Sequence, residues 1–215
     1  MKSMKKNLIA IAAFAASSFA LAQPAYYGGL HAGENNLHQW DGNVDFGAGV
    51  TVPGTVVLNR GAHYGVFGGK QTEHARWEVE LQGGRFDIKR IELGSQVEDK
   101  SQSGHYEALT FNGYRVEPLG ASRFSAYGAL GIGWGRVSLP AMGFTSGCDC
   151  FAASKKSGFT WLARAGLEFN FDPNNKAFLQ YTLLALPRPG SSTSPGIEYE
   201  RKKISAVTVG YRRVF

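Results

Sequence analysis

The chain has 215 residues, with Lys+Arg 23 against Asp+Glu 17 for a formal net charge of +6, and it contains 28 glycines. Removing Lys2, Lys5 and Lys6 with a basic leader takes that +6 down by three to +3, too small an excess to imply a nucleic-acid partner. Glycine at this frequency is costly inside helices and favours strands around a crowded interior, where a missing side chain makes room for a neighbour.

The leader comes first. Met1-Lys2-Ser3-Met4-Lys5-Lys6 is basic, residues 7–20 are almost wholly apolar or small, and Ala20-Leu21-Ala22 ends the segment. This is the pattern of a secretory signal peptide, residues 1–22, cleaved before Gln23. Its apolar part is too short to cross a hydrocarbon slab of about 30 Å as a helix. No Cys stands at the cleavage position, so no lipid tether is expected. The remaining 193 residues, 23–215, suit one domain. No later stretch approaches the roughly 18 continuous apolar residues of a membrane helix, so any membrane crossing must be made by strands.

In chain order, strands are expected at 26–33, 61–70, 77–82, 108–116, 124–137, 161–171, 177–184 and 203–215. Trp77-Glu78-Val79-Glu80-Leu81-Gln82 alternates strictly, which places Trp77, Val79 and Leu81 on one face and the polar residues on the other. A soluble sandwich would turn the apolar face inward, whereas a membrane barrel turns it to lipid. In 124–137, Gly128, Gly131, Gly133 and Gly135 leave room for lumenal side chains, and Leu130, Ile132 and Trp134 share a face. The run 161–171 has eleven residues, the length a tilted strand needs to cross a bilayer. Trp161, Phe169 and Phe171 bracket Ala163, Ala165 and Leu167 on its apolar face, and Arg164, Glu168 and Asn170 lie on the other.

Connections alternate between short (71–75, 117–123, 172–175) and long (34–60, 87–106, 138–158, 185–201), and Asp172-Pro173-Asn174-Asn175 is a turn by its chemistry. Short turns on one side and long loops on the other are the habit of outer-membrane barrels. The fold class that follows is all-β, an eight-stranded antiparallel up-and-down transmembrane β-barrel. Its narrow lumen would be filled by Glu78, Glu80, Arg164, Glu168 and Tyr127, with Arg164 facing Glu78 or Glu80 as a buried pair, so wide-pore transport is not expected. In the first long connection, Trp40 and 50–57 either extend the strands above the membrane or form an adhesive surface.

Tyr26-Tyr27-Gly28-Gly29-Leu30-His31-Ala32-Gly33, Tyr64-Gly65-Val66-Phe67-Gly68-Gly69 and Val207-Thr208-Val209-Gly210-Tyr211-Arg212-Arg213-Val214-Phe215 resemble the small eight-stranded outer-membrane barrels of the OmpA-like and opacity-protein type, over essentially the whole mature chain. The resemblance implies an outer-membrane location and a terminal strand whose Phe215, Tyr211 and Val209 are read by the barrel-assembly machinery. Arg213 departs from that pattern, where a snorkelling side chain would be tolerated.

Cys148-Asp149-Cys150 holds the two cysteines of an exported chain, and a local disulfide is favoured over unpaired or intermolecular thiols or a metal pair. His31, His38, His63, His74 and His105 lack metal-ligand spacing and read as structural or solvated. Barrel enzymes that deacylate lipid A gather His, Ser and an acid at the lipid-facing surface. Neither a His-x-Ser constellation nor a Gly-x-Ser-x-Gly elbow stands out, so no catalytic residue, cofactor or metal is assigned. Ser191-Ser192-Thr193-Ser194 reads as flexible linker. Lys155-Lys156 and Arg201-Lys202-Lys203 are candidates to meet lipopolysaccharide phosphates. The expected role is non-enzymatic, structural or surface-interacting through four long outer loops, towards lipopolysaccharide or a host or cell-surface ligand the sequence does not identify. The alternatives are a lipid-modifying barrel enzyme and a narrow ion-conducting pore.

Overall fold

The computed structural model describes residues 25–191 and 196–215, so the leader and Ser192, Thr193 and Ser194 lie outside the described residues. No helix among the described residues is long and apolar enough to cross a membrane. The strands are β1 (Ala25–Asn36), β2 (Gln39–Asp45), β3 (Thr51–Asn59), β4 (Gly61–Gln71), β5 (Ala75–Leu93), β6 (Gln96–Pro118), β7 (Phe124–Leu139), β8 (Ser154–Asn170), β9 (Asn175–Ala185), β10 (Gly190–Ser191), β11 (Gly196–Tyr199) and β12 (Lys203–Val214). Eight of them close a ring of antiparallel pairs, β1–β4–β5–β6–β7–β8–β9–β12 and back to β1. Each strand expected from the sequence lies in this ring, and closure removes the open edges that a bilayer forbids.

The ambiguity of the alternating segment is resolved by exposure. Trp77, Val79 and Leu81 are 56%, 52% and 56% exposed, while Glu78, Glu80 and Gln82 are 4%, 0% and 2% exposed. Apolar outside and polar inside is the arrangement of a barrel in lipid. Leu30, Val66, Phe111, Leu130, Leu167 and Val209 continue the outer belt.

Two expectations are corrected. Residues 87–106 are not a loop, because β5 and β6 pair from Ala75–Arg115 to Leu93–Gln96, with one bulge between Ile88 and Arg90, and turn through Gly94-Ser95, with Gly94 at φ +57° where glycine is favoured. The fourth outer connection is structured as well, carrying β10 and β11, and in the first β2 and β3 follow the strand-extension reading of Trp40 and 50–57. The physical reason lies in strand length. β5 has 19 residues and β6 has 23, against the 9–11 that cross a bilayer, so about half of each projects into water. There β3 pairs with the upper half of β5, from Gly54–Leu93 to Asn59–Asp87, on the edge that β4 leaves free beyond His63–Gly84. β2, β11 and β10 extend that sheet in turn.

Along β5 the side-chain alternation continues to Lys89 while its polarity inverts, and a bulge there shifts the phase so that Ile91 and Leu93 turn inward above it. Below Gly83-Gly84 the outward residues are Trp77, Val79 and Leu81; above, Arg85, Asp87 and Lys89 point out and Phe86 and Ile88 are buried. β6 and β7 change at the same level, with Leu109 giving way to Glu107 and Trp134 to Arg136 on the outside. The inward apolar side chains above this line, among them Trp40, Phe86, Ile91, Tyr106, Phe151, Leu186, Ile197 and Tyr199, make one core and form a cap over the barrel. Glycines are placed as the sequence suggests at Gly131, Gly133 and Gly135, which face inward, whereas Gly128 is on the outer face.

Candidate functional site

The lumen is filled by two tiers of charge. In the lower tier Glu168 of β8 takes Arg76 of β5 through two contacts of 2.9 Å, Arg212 of β12 through a short hydrogen bond, and Lys176 of β9 at 3.3 Å. Each cation comes from the inward phase of its strand near the short-turn end, and Arg76 and Arg212 lie over the rings of Tyr127 and Tyr27. In the upper tier Arg164 is held from every side. Nη2 donates to Glu80 Oε1 at 2.9 Å, Nη1 to the Tyr114 hydroxyl at 2.7 Å, and Nε to Thr182 Oγ1 at 2.9 Å. Glu78 Oε1 is 3.7 Å from Nη1 and accepts from Tyr114 at 2.6 Å, while Tyr27 donates to Glu78 Oε2 at 3.1 Å. Glu80 also receives Asn112 Nδ2 at 2.8 Å and lies 2.6 Å from His31 Nε2. Ions this deeply buried persist only when paired and hydrogen-bonded, which these are.

The structure therefore brings Glu78, Glu80 and Arg164 into one cluster and sets Glu168 in another. Tyr127 fills the lumen beside them and donates to Gln180 at 3.0 Å. Tyr27, His31, Arg76, Asn112, Tyr114 and Arg212 escaped sequence reading as site residues; the signal was present in their parity, since each occupies the inward phase of its strand. Above the tiers His31 stacks on His63, 5.4 Å between centroids, and His63 Nδ1 is 2.7 Å from the Tyr106 hydroxyl. A remaining lumenal cavity of about 10 Å³, lined by Arg76, Glu78, Tyr127 and Gln180 among others, has room for about one water.

The cap is stapled across long sequence distances. Trp40 Nε1 donates to Glu200 O at 2.7 Å, Lys202 Nζ to Asp41 Oδ2 at 2.7 Å, and Arg188 Nε to Tyr199 O at 2.6 Å. Partial burial pushes the Asp41 carboxyl up, but hydrogen bonds from Lys202, Gln39 and Thr55 outweigh it and hold Asp41 below its usual range. Trp40 is wholly buried in the cap core, so β2 and β3 extend the sheet and Trp40 offers no adhesive surface. In the third outer connection Met142 and Phe151 form a backbone bridge, and Cys148 and Cys150 are joined to each other, their Cα atoms 5.2 Å apart. Phe46 and Val50 at the β2–β3 tip, and Val97 beside the β5–β6 turn, are exposed.

Of the remaining histidines, His38 and His105 are exposed and His74 is half-buried. His105 pairs across strands with Ser138 on the outer face, and no hydrogen bond joins their side chains among the described residues. On the last strand Val209, Tyr211 and Phe215 face outward, Arg213 lies 5.9 Å from the Phe215 ring, and Phe215 N donates to Tyr26 O at 2.8 Å.

The family described as outer membrane protein beta-barrel domain matches residues 8–212. No curated protein matches the chain. Among solved structures it is similar to Neisserial surface protein A, with a TM-score of 0.54 at 10% identity over 90% of this chain and 100% of that one. It is also similar to the attachment invasion locus protein Ail of Yersinia pestis, solved with the heparin analogue sucrose octasulfate, at a TM-score of 0.41 and 14% identity over 87% and 98% of the two chains. The N-terminal β-barrel domain of Pseudomonas aeruginosa OprF gives 0.41 at 12% identity over 87% and 97%.

Proposed function

Since the chain belongs to the outer membrane protein β-barrel family and resides in the outer membrane, we propose that it acts as a non-enzymatic surface-interaction protein whose working part is the outer face of the cap. One observation carries this reading: the conduit is stoppered twice, by ion tiers in the lumen and by an apolar core above them, which leaves the exterior as the part that meets other molecules. The exposed apolar tips at Phe46, Val50 and Val97 stand at the far end of that exterior. In this reading the chain is exported by its leader, and the barrel-assembly machinery takes Phe215, Tyr211 and Val209 as the insertion signal.

The test uses intact cells. An epitope inserted at Gly47-Ala48-Gly49, the left-handed turn at the β2–β3 tip, should be labelled by antibody without permeabilisation, and Phe46→Ser with Val50→Ser should lower attachment of the cells to host or bacterial surfaces. Labelling only after permeabilisation, or attachment indifferent to the protein's presence, overturns the proposal. Lipid A from cells with and without the protein should have the same acylation by mass spectrometry; altered acylation would turn attention to His105 and Ser138.

A further inference from the structure

At the level where strand polarity inverts, the outer wall is unevenly charged. On the outer face of β7 and β8 the register stacks Trp134–Phe159, then Arg136–Ser157 and Ser138–Lys155. Arg136 is partly answered, its Nη1 lying 3.0 Å from Glu107 Oε1 and its Nε donating to Ser157 Oγ at 3.2 Å. Lys155 is exposed on this face and forms no ion pair among the described residues, whereas Lys156, paired with the buried Val137, has the inward phase. On β12, Lys203 reaches across β9 to lie 5.4 Å over the ring of Trp161. The far side of the barrel differs: there Glu34 answers Arg60 at 3.7 Å and Asp87 answers Arg85 at 4.0 Å.

We propose that the β7–β8–β9–β12 wall binds the phosphates of lipid A in the outer leaflet. Lys155, Lys203 and Arg136 take the phosphates, and Trp134, Phe159 and Trp161 pack against the sugar and first acyl carbons. Charge complementarity selects the occupant, because the cations sit at headgroup height immediately above lipid-facing aromatics and have few carboxylates to neutralise them. The polarity inversion fixes that height independently of the charges. This inference rests on the outer-membrane location and not on the cap's role, so it stands or falls separately from the attachment experiment.

Folded full-length protein in detergent, verified by a shift in gel mobility on boiling, is titrated with bisphosphorylated lipid A, with the same lipid A dephosphorylated, and with phosphatidylglycerol, and bound lipid is read by native mass spectrometry. Bisphosphorylated lipid A should bind at least about tenfold more tightly than the dephosphorylated form, and Arg136→Gln/Lys155→Gln/Lys203→Gln should erase most of that difference. Arg60→Gln/Arg85→Gln, on the balanced side, should leave it unchanged. Equal binding of both lipid A forms, full retention in the triple variant, or equal loss in the control overturns the proposal, and tighter binding of phosphatidylglycerol would assign the wall to another lipid. If the triple variant fails the gel test, Lys155→Gln/Lys203→Gln is measured in its place, with the same outcomes.

Discussion

Arg164 has no solvent to fall back on, and its partners are placed by strands far apart in sequence. Replacing it by Met leaves Glu78 and Glu80 buried without their cation, and should cost about 3–5 kcal/mol in urea unfolding followed by tryptophan fluorescence in lipid vesicles. Adding Glu78→Gln and Glu80→Gln to Arg164→Met should recover a good part, because the penalty comes from uncompensated charge; a triple variant no more stable than the single one contradicts this account. Gly65 shows what one missing carbon does. A Cβ there would lie 2.4 Å from His31 Nε2 and 3.2 Å from the Gln82 side chain, so Gly65→Ala should push His31 off Glu80 and destabilise by about 1–3 kcal/mol, with His31→Ala in the same chain relieving most of it. Parity along each strand was enough to place Glu78, Glu80 and Arg164 inside. The roles of His31, Asn112 and Tyr114 were not legible, because they depend on which strands face one another across the lumen and on which glycines clear the space between.

The ring strands were readable because 9–11 residues of alternation suffice to cross a bilayer and each crossing shows it. The upper halves of β5 and β6 were not, since beyond Gly83-Gly84 the outward residues are charged and the run 87–106 has the composition of a loop. Cross-strand pairs such as Arg90 Nε to Asp99 Oδ1 at 3.0 Å hold it as a ladder instead. The β2–β11 pairing should show its dependence on Asp41 in acid. A carboxyl held below its usual value of about 3.9 contributes stability above that value and loses it as the pH falls through the lower folded one. Hydrogen exchange at 39–45 and 196–199, corrected for intrinsic rate, should therefore stay constant from neutrality to about pH 4 and rise below it, and Asp41→Asn should remove that step. Protection lost already near neutral pH would argue against the Lys202 contact as its source. At the other end of the barrel, deletion of Phe215 should sharply reduce insertion as judged by membrane fractionation, and normal insertion would argue against the terminal signal.

As a whole the molecule is a membrane barrel below and a water-facing β structure above, built on shared strands. In planar bilayers it should be silent at high salt, and steady conductance would contradict the stoppered lumen. Eight crossings and an outer-membrane setting were legible in the sequence, whereas the cap was hidden because its core is assembled from Trp40, Phe86, Phe151 and Tyr199, residues scattered over four separate segments. The inversion at Gly83-Gly84 also dictates how the chain tolerates insertions. A single residue added there advances the alternation by one, turning Phe86 and Ile88 out to water and Arg85 and Asp87 into the cap core, while two added residues restore every side chain to its own side. Length changes at this boundary should thus be accepted in even steps and rejected in odd ones, which makes the strand a counting device as well as a wall.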